Sequence, residues 1–137
     1  MLGLSQTLDP EARAFAAREG RLPGEEGAGP GAVTPNLAVV ARREGRIVGV
    51  AEGWAREGVA YLAQLVVACD LRNEGIGSHV LAAFESAALE LGSRRLATDA
   101  LAGSSAEAFY RHRGWIEEGR RSPWRGGRDL VQLRRDR

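Results

Sequence analysis

Hydrophobic and polar positions sort most of this chain into elements. Ala12, Phe15 and Ala16 form one apolar stripe over residues 9–19, the spacing of a short amphipathic helix. Asp9 suits its N-cap, Pro10 its first helical position and Glu11 its first turn. Residues 20–35 (GRLPGEEGAGPGAVTP) have no period and few groups to bury, which predicts a loop. Three strand-like runs follow at 36–42, 46–56 and 59–68, separated by Glu44-Gly45 and Glu57-Gly58 turns. The third run, VAYLAQLVVA, is the most apolar and belongs in the centre of a sheet.

Beyond it, Ile76, Val80, Phe84, Ala87 or Ala88, and Leu91 recur every three to four residues, so a long helix runs to about Leu91 and ends at Gly92. Residues 95–101 read as a fourth strand. Residues 104–112 read as a short helix capped by Ser104 with Glu107 three residues on, and closed by Gly114. Residues 115–121 and 129–134 form a last hairpin about Gly126-Gly127. The order is helix, three-strand meander, helix, strand, helix, hairpin. This predicts an α/β (mixed α+β) fold around one sheet, in a single domain of residues 1–137 whose first 35 residues are its irregular part.

Composition narrows the chemistry. The 137 residues suffice for one core without staples. Cys69 is the only cysteine, so neither an internal disulfide nor a cysteine-rich zinc site can form. All 19 basic residues are arginine, which removes the P-loop lysine and Schiff-base catalysis. His79 and His112 lie far apart, no HExxH helix exists, and no metal site is expected. A net charge of +1 gives no sign of a nucleic-acid partner. No signal peptide or membrane span is apparent, because residues 59–69 are too short and carry Gln64; a cytoplasmic location is expected.

The junction from the third strand to the long helix carries the candidate chemistry. A helix start exposes amides without internal partners at the positive end of the dipole. Gly75 and Gly77 clear side chains from that end, and Arg72 adds charge, so a phosphate or pyrophosphate could be held there. The same glycine pair would equally serve close packing of helix on sheet. Three-glycine dinucleotide spacing is absent.

Arg72-Asn73-Glu74-Gly75-Ile76-Gly77 resembles the acyl-CoA pyrophosphate loop of the GCN5-related N-acetyltransferases (GNAT), written Q/R-x-x-G-x-G/A, with Val67 five residues ahead as in that family. The run from Ala106 to Trp115, which contains Phe109-Tyr110 and ends in Gly114-Trp115, resembles the family's second signature. The likeness covers about residues 36–134. It implies a mostly antiparallel sheet with helices on both faces, and acetyl-CoA as cosubstrate without a metal. It also implies that the third strand parts from the fourth so that pantetheine lies between them. Leu65, Val66, Val67, Arg72, Asn73, Glu74, Gly75, Ile76, Gly77, Ser78, Ser104 and Tyr110 would then meet the cofactor. Cys69 stands where the family commonly has proline, Asn73 where it has glycine or arginine, Ser104 where it has asparagine, and Trp115 where it has phenylalanine. The family's second N-terminal helix, which shapes the acceptor pocket, is not visible.

Transfer of an acetyl group from a thioester to an amine needs a neutral amine, a polarised carbonyl, and a hydrogen bond or proton for the departing thiolate. Backbone amides of residues 65–68 suit the carbonyl. The resemblance places Tyr110 at the thiolate. Asp99 and Glu52 are the candidate bases, each of which could equally be a solvated strand carboxylate. Arg111, His112 and Arg113 end the short helix, where cations suit the dipole, and one of the two arginines could reach the CoA phosphates. Cys69 lacks a neighbouring histidine in sequence and is not expected to act as a nucleophile. His79 is expected at the surface or beside the cofactor. Trp54 and Trp124 are expected in sheet packing or as a pocket wall, and Glu25 and Glu26 in a solvated loop. The expected activity is direct N-acetylation of a primary amine on a small molecule or peptide, with a homodimer allowed. The alternative is a CoA-binding sensor without turnover, or a protein using the glycine loop for another phosphate.

Overall fold

The computed structural model describes residues 2–20, 35–72, 74–125 and 127–137. The expected loop at 20–35 therefore falls almost wholly outside them, with Glu25 and Glu26, as do Asn73 and Gly126 of the last turn and the side chain of Trp124. The elements run β1 (Leu2–Ser5), α1 (Pro10–Gly20), β2 (Leu37–Arg43), β3 (Arg46–Arg56), β4 (Val59–Val67), a 3₁₀ turn (Cys69–Leu71), α2 (Ile76–Glu90), β5 (Arg95–Leu101), α3 (Ser105–His112), β6 (Ile116–Arg125) and β7 (Arg128–Asp136). The seven strands form one sheet in the order β1-β2-β3-β4-β5-β7-β6. Only β4 and β5 run parallel, joined through α2. The apolar run of β4 thus sits at the sheet centre, as its composition predicts.

The strand β1 is an addition to the expected order. Four residues, LGLS, hold too little pattern to show it, and it exists by pairing with β2 at the sheet edge. Asn36 is a second adjustment. It lies just before β2 and not in it, and its side chain brackets Ala55 of β3, accepting from the Ala55 N–H at 2.8 Å and donating to its carbonyl at 3.0 Å. Trp115 is a third: it precedes β6, buried, with its amide donating to the Tyr110 carbonyl at 3.1 Å.

Capping follows the sequence. Asp9 accepts from the Ala12 amide at 2.8 Å, and Ser104 from the Glu107 amide at 3.1 Å. Glu107 completes its side of the cap on the Gly103 amide at 2.8 Å, one residue earlier than a capping box requires. Two apolar clusters fill the two faces of the sheet. On one face α2 lays Ile76, Val80, Leu81, Phe84, Ala87 and Ala88 against Leu37, Val39, Leu62, Leu96 and Leu133, together with Tyr110 and Trp115. On the other, α1 lays Ala12, Phe15 and Ala16 against Val40, Ile47, Val50 and Ala68. Among the described residues, no helix is long and apolar enough to cross a membrane.

Candidate active site

The site begins with a defect in strand pairing. Glu52 of β3 faces Gln64 of β4, but Gly53 faces Leu62, so Ala63 is an extra residue that bulges β4. Gly53 makes this geometry available, because a Cβ there would overlap the Tyr61 carbonyl. On its other side β4 pairs with β5 from Val59↔Arg95 only to Leu62↔Thr98. Both strands continue, β4 to Val67 and β5 to Leu101. Beyond the bulge the facing edges of Ala63 to Val67 and Asp99 to Leu101 share no ladder, leaving peptide donors and acceptors along a wedge between them. Leu65 and Val67 pack toward α2, and Val66 toward α1. The wedge expected between the third and fourth predicted strands is present, and the bulge gives its cause.

The glycine loop closes the outer end. Gly75 is the N-cap of α2 with φ +81°, a left-handed conformation that disfavours any side chain. Nothing lies within 4 Å of where its Cβ would be. Among the described residues no side chain caps α2, so the first amides of the helix have no side-chain acceptor. Ile76 is buried in the core and anchors the turn. Arg72 and Glu74 are exposed, and Glu74 pairs with Arg43 at 3.5 Å. Gly77 brings the helix to 3.5 Å from Phe109 and 3.6 Å from Val67, measured from a hypothetical Cβ.

Phe109 links the loop to α3, where a third feature appears. Arg113 lies 3.8 Å above the Phe109 ring centroid. It donates to the Ser78 hydroxyl, at 3.0 Å from Nε and again from its terminal nitrogen, and to the Phe109 carbonyl at 3.2 Å. Its own carbonyl accepts from Arg135 at 2.8 Å. The Ser78 hydroxyl is therefore already engaged, and the guanidinium of Arg113 is fixed beside the first turn of α2. Of the cations at the end of α3, this is the one the fold brings to the glycine loop. Arg111 is held by Glu107 and Glu117 at 2.8 and 2.7 Å, and His112 and His79 are exposed. The Ser104 hydroxyl serves as the cap of α3.

Tyr110, next along α3, is 6% exposed, with its ring 5.3 Å from Phe109 and 5.2 Å from Trp115. Burial pushes its phenol up to about 12, partly offset by the Thr98 hydroxyl. Thr98 in turn donates to the Leu62 carbonyl at 2.8 Å, at the last paired position of the wedge. Tyr110 thus reaches the inner end of the wedge from the α2 face.

The carboxylates stand on the other face. Glu52 is half-buried, and burial raises its carboxyl above the ordinary range, with Arg13 of α1 acting against that rise. Its strand neighbour Gln64 donates to the Ala16 carbonyl of α1 at 3.2 Å. Asp99 is not a solvated strand carboxylate: its Oδ2 accepts from the Tyr61 hydroxyl at 2.6 Å. Tyr61 is the residue the sequence reading missed. A lone tyrosine in an apolar strand looks like packing, and only the parallel pairing with β5 reveals its partner. Burial, then the Asp99 carboxylate, push the Tyr61 phenol far upward. Trp54 stacks on Tyr61 with ring centroids 5.9 Å apart and planes 17° from parallel. Cys69 is exposed on the 3₁₀ turn. Among the described residues, no group of three metal-ligating side chains gathers.

Known proteins share this fold. The model of the acetyltransferase (GNAT) family matches residues 8–115. Among curated proteins, Probable N-acetyltransferase 14 of Danio rerio is 36% identical over 83 residues, 58% of this chain and 30% of that protein. The chain spans less than a third of that relative's length. The ribosomal-protein-S18-alanine N-acetyltransferase of Escherichia coli superposes with a TM-score of 0.81 at 18% identity, over 99% of this chain and 94% of that one. Ard1 from Thermoplasma volcanium gives 0.80 at 16% identity, over 98% and 97%. An acetyltransferase from Bacillus anthracis, crystallised in complex with acetyl coenzyme A, gives 0.69 at 15% identity, over 77% and 65%. At these identities the structural likeness is one of fold.

Proposed function

Because the chain belongs to the GNAT acetyltransferase family, we propose that it moves the acetyl group of acetyl-CoA to a primary amine by direct transfer. The observation that carries this reading is the wedge between β4 and β5, with the uncapped glycine turn at its mouth and the buried Tyr110 at its inner end. The first amides of α2 and the guanidinium of Arg113 would hold the diphosphate, with Arg72 as a mobile second charge. Pantetheine amides would pair with the free edge of Leu65, Val66 and Val67. A backbone amide of the same edge would polarise the thioester carbonyl.

Only about one alkylamine in 10³ is neutral at pH 7. Glu52 is suited to take the amine's proton through a water, because burial has raised its affinity for one. The freed nitrogen attacks the acetyl carbon; the C–N bond forms, the C–S bond breaks, and the sulfur leaves as thiolate. The second nitrogen-bound proton goes to solvent or to the thiolate. Tyr110 donates a hydrogen bond to that sulfur. Glu52 and Tyr110 favour turnover over a sensor that merely holds CoA.

Calorimetry with acetyl-CoA, set against ATP and NAD, tests the binding half of this reading. Release of free thiol from acetyl-CoA in the presence of an amine panel tests the other half. Binding with no thiol release above the hydrolysis background would leave a CoA-binding module. No binding of acetyl-CoA by folded protein would remove the assignment of the loop.

A further inference from the structure

The inner end of the wedge is locked differently on its two faces. On the α2 face the lock is Thr98 to the Leu62 carbonyl, buried in the core. On the α1 face it is Tyr61 to Asp99. Only the first of these is needed to close an apolar interior. The second leaves a carboxylate on a sheet face, with one oxygen occupied and, among the described residues, no hydrogen bond to Oδ1. Tyr61 also carries the stacked indole of Trp54. The α1 helix packs on β3 and β4, and the register puts Asp99 opposite Gln132 of β7, farther from α1. Glu52 lies two strands from Asp99, at about two 4.8 Å strand spacings between backbones, which leaves room for a water between Glu52 and a nitrogen held at Asp99.

We infer that Tyr61 and Asp99 form the acceptor anchor of this chain. Asp99, turned by the Tyr61 hydrogen bond, receives the ammonium of the incoming acceptor on Oδ1, and the Trp54–Tyr61 pair receives the hydrocarbon beside it. The acceptor class is therefore a cationic primary amine on an apolar or aromatic stem. A carboxylate next to the amine would meet Asp99 itself and be rejected. This rests on the acetyl-transfer reading above and divides the labour of the two carboxylates: Asp99 orients the amine, and Glu52 receives its proton.

The test uses the whole chain at saturating acetyl-CoA with three acceptors: 2-phenylethylamine, butylamine and glycine. The expected order of kcat/KM is phenylethylamine above butylamine, and both at least tenfold above glycine. In Tyr61→Phe the KM for phenylethylamine should rise at least tenfold, and in Asp99→Asn further, while the KM for acetyl-CoA stays within twofold. A purely structural lock would instead lower the melting temperature and leave the amine KM alone, and that result overturns the inference. Glycine used as well as phenylethylamine also overturns it. If wild type binds acetyl-CoA but releases no thiol with any amine, the enzyme reading fails on its own. The anchor is then decided by titrating phenylethylamine into the CoA-loaded protein. Binding weakened tenfold or more in both variants upholds it, and no binding to wild type overturns it.

Discussion

Replacing Tyr110 with phenylalanine separates two roles that a tyrosine beside a leaving thiolate can play. The phenol is held at about 12 by burial, against about 8.5 for a free alkyl thiol such as cysteine. Complete proton transfer from that phenol to the departing sulfur would run uphill by about 5 kcal/mol. A hydrogen bond to the thiolate has no such cost, so in the proposed reaction Tyr110 would act as a donor that keeps its proton. A hydrogen bond to a charged group contributes about 1.5–3 kcal/mol. Tyr110→Phe should accordingly lower the transfer rate about 10–150-fold, with acetyl-CoA affinity little changed. Single-turnover measurement of thiol release keeps product dissociation from masking the effect. The wild-type rate should show no basic limb from this group below about pH 11, because the phenol remains protonated there. A rate within twofold of wild type would refute the role, and a basic limb near pH 9 present only in wild type would refute the donor argument.

Stability gives an independent check on the same residue. The unfolded phenol titrates near 10 and the folded one about 12, so between those values the unfolded chain binds fewer protons. Stability contributed by the neutral, buried phenol is then fully present below pH 10 and is lost as pH rises toward 12, by about 3 kcal/mol in all. Urea unfolding at pH 8 and pH 11 should show wild type losing stability relative to Tyr110→Phe.

Other variants report on other parts of the site. Gly75→Ala forces a side chain into φ +81° and should cost about 1–2 kcal/mol of folding stability, whereas Gly77→Ala, in ordinary contact with Phe109 and Val67, should gain up to about 1 kcal/mol as a helix former. Both should weaken acetyl-CoA binding by calorimetry, and Gly77→Ala with unchanged affinity would count against the diphosphate site. Glu52→Gln removes a carboxylate whose proton affinity burial has raised. The charged form opposes folding above the ordinary carboxyl range, so the variant should melt no lower at pH 7 while turnover falls about 10²–10⁴-fold. Glu85, 6% exposed on α2, meets Arg135 and Arg137 at 3.5 Å each; Glu85→Ala should cost about 1–3 kcal/mol in a urea melt by freeing β7 from α2 without touching the wedge.

The three helices and the strands β2 to β7 were legible because each announces itself locally, whereas β1 was not. Pro10 after Asp9, the period of Ile76, Val80 and Phe84, and the Ser104–Glu107 spacing all describe chain segments that need no distant partner to be recognised. The glycine turn was legible for the same reason, since Gly75 and Gly77 fall in a single stretch of sequence at a helix start, whereas the role expected of Tyr110 came from the family resemblance. The wedge was expected only from the family resemblance, and its cause was not readable at all. Ala63 is an unremarkable residue, and its extra place in β4 follows from what Gly53 on another strand permits.

The acceptor side was hidden in a deeper way. Tyr61 and Asp99 lie 38 positions apart and meet because β4 and β5 run parallel in one register; moving that register by one residue would turn each side chain to the opposite face. That dependence supplies a physical reason for the division of the site. The proposed cofactor half draws on one helix start and one strand edge, and only the helix start survives local description. The proposed acceptor half draws on single residues of β3, β4 and β5, whose meeting is a property of strand pairing. Gly53→Ala, which presses a Cβ onto the Tyr61 carbonyl and so disturbs the bulge that opens the wedge, should therefore weaken acetyl-CoA binding in calorimetry and raise the amine KM together, whereas Gly75 and Gly77 variants should act, of these two, on acetyl-CoA binding alone.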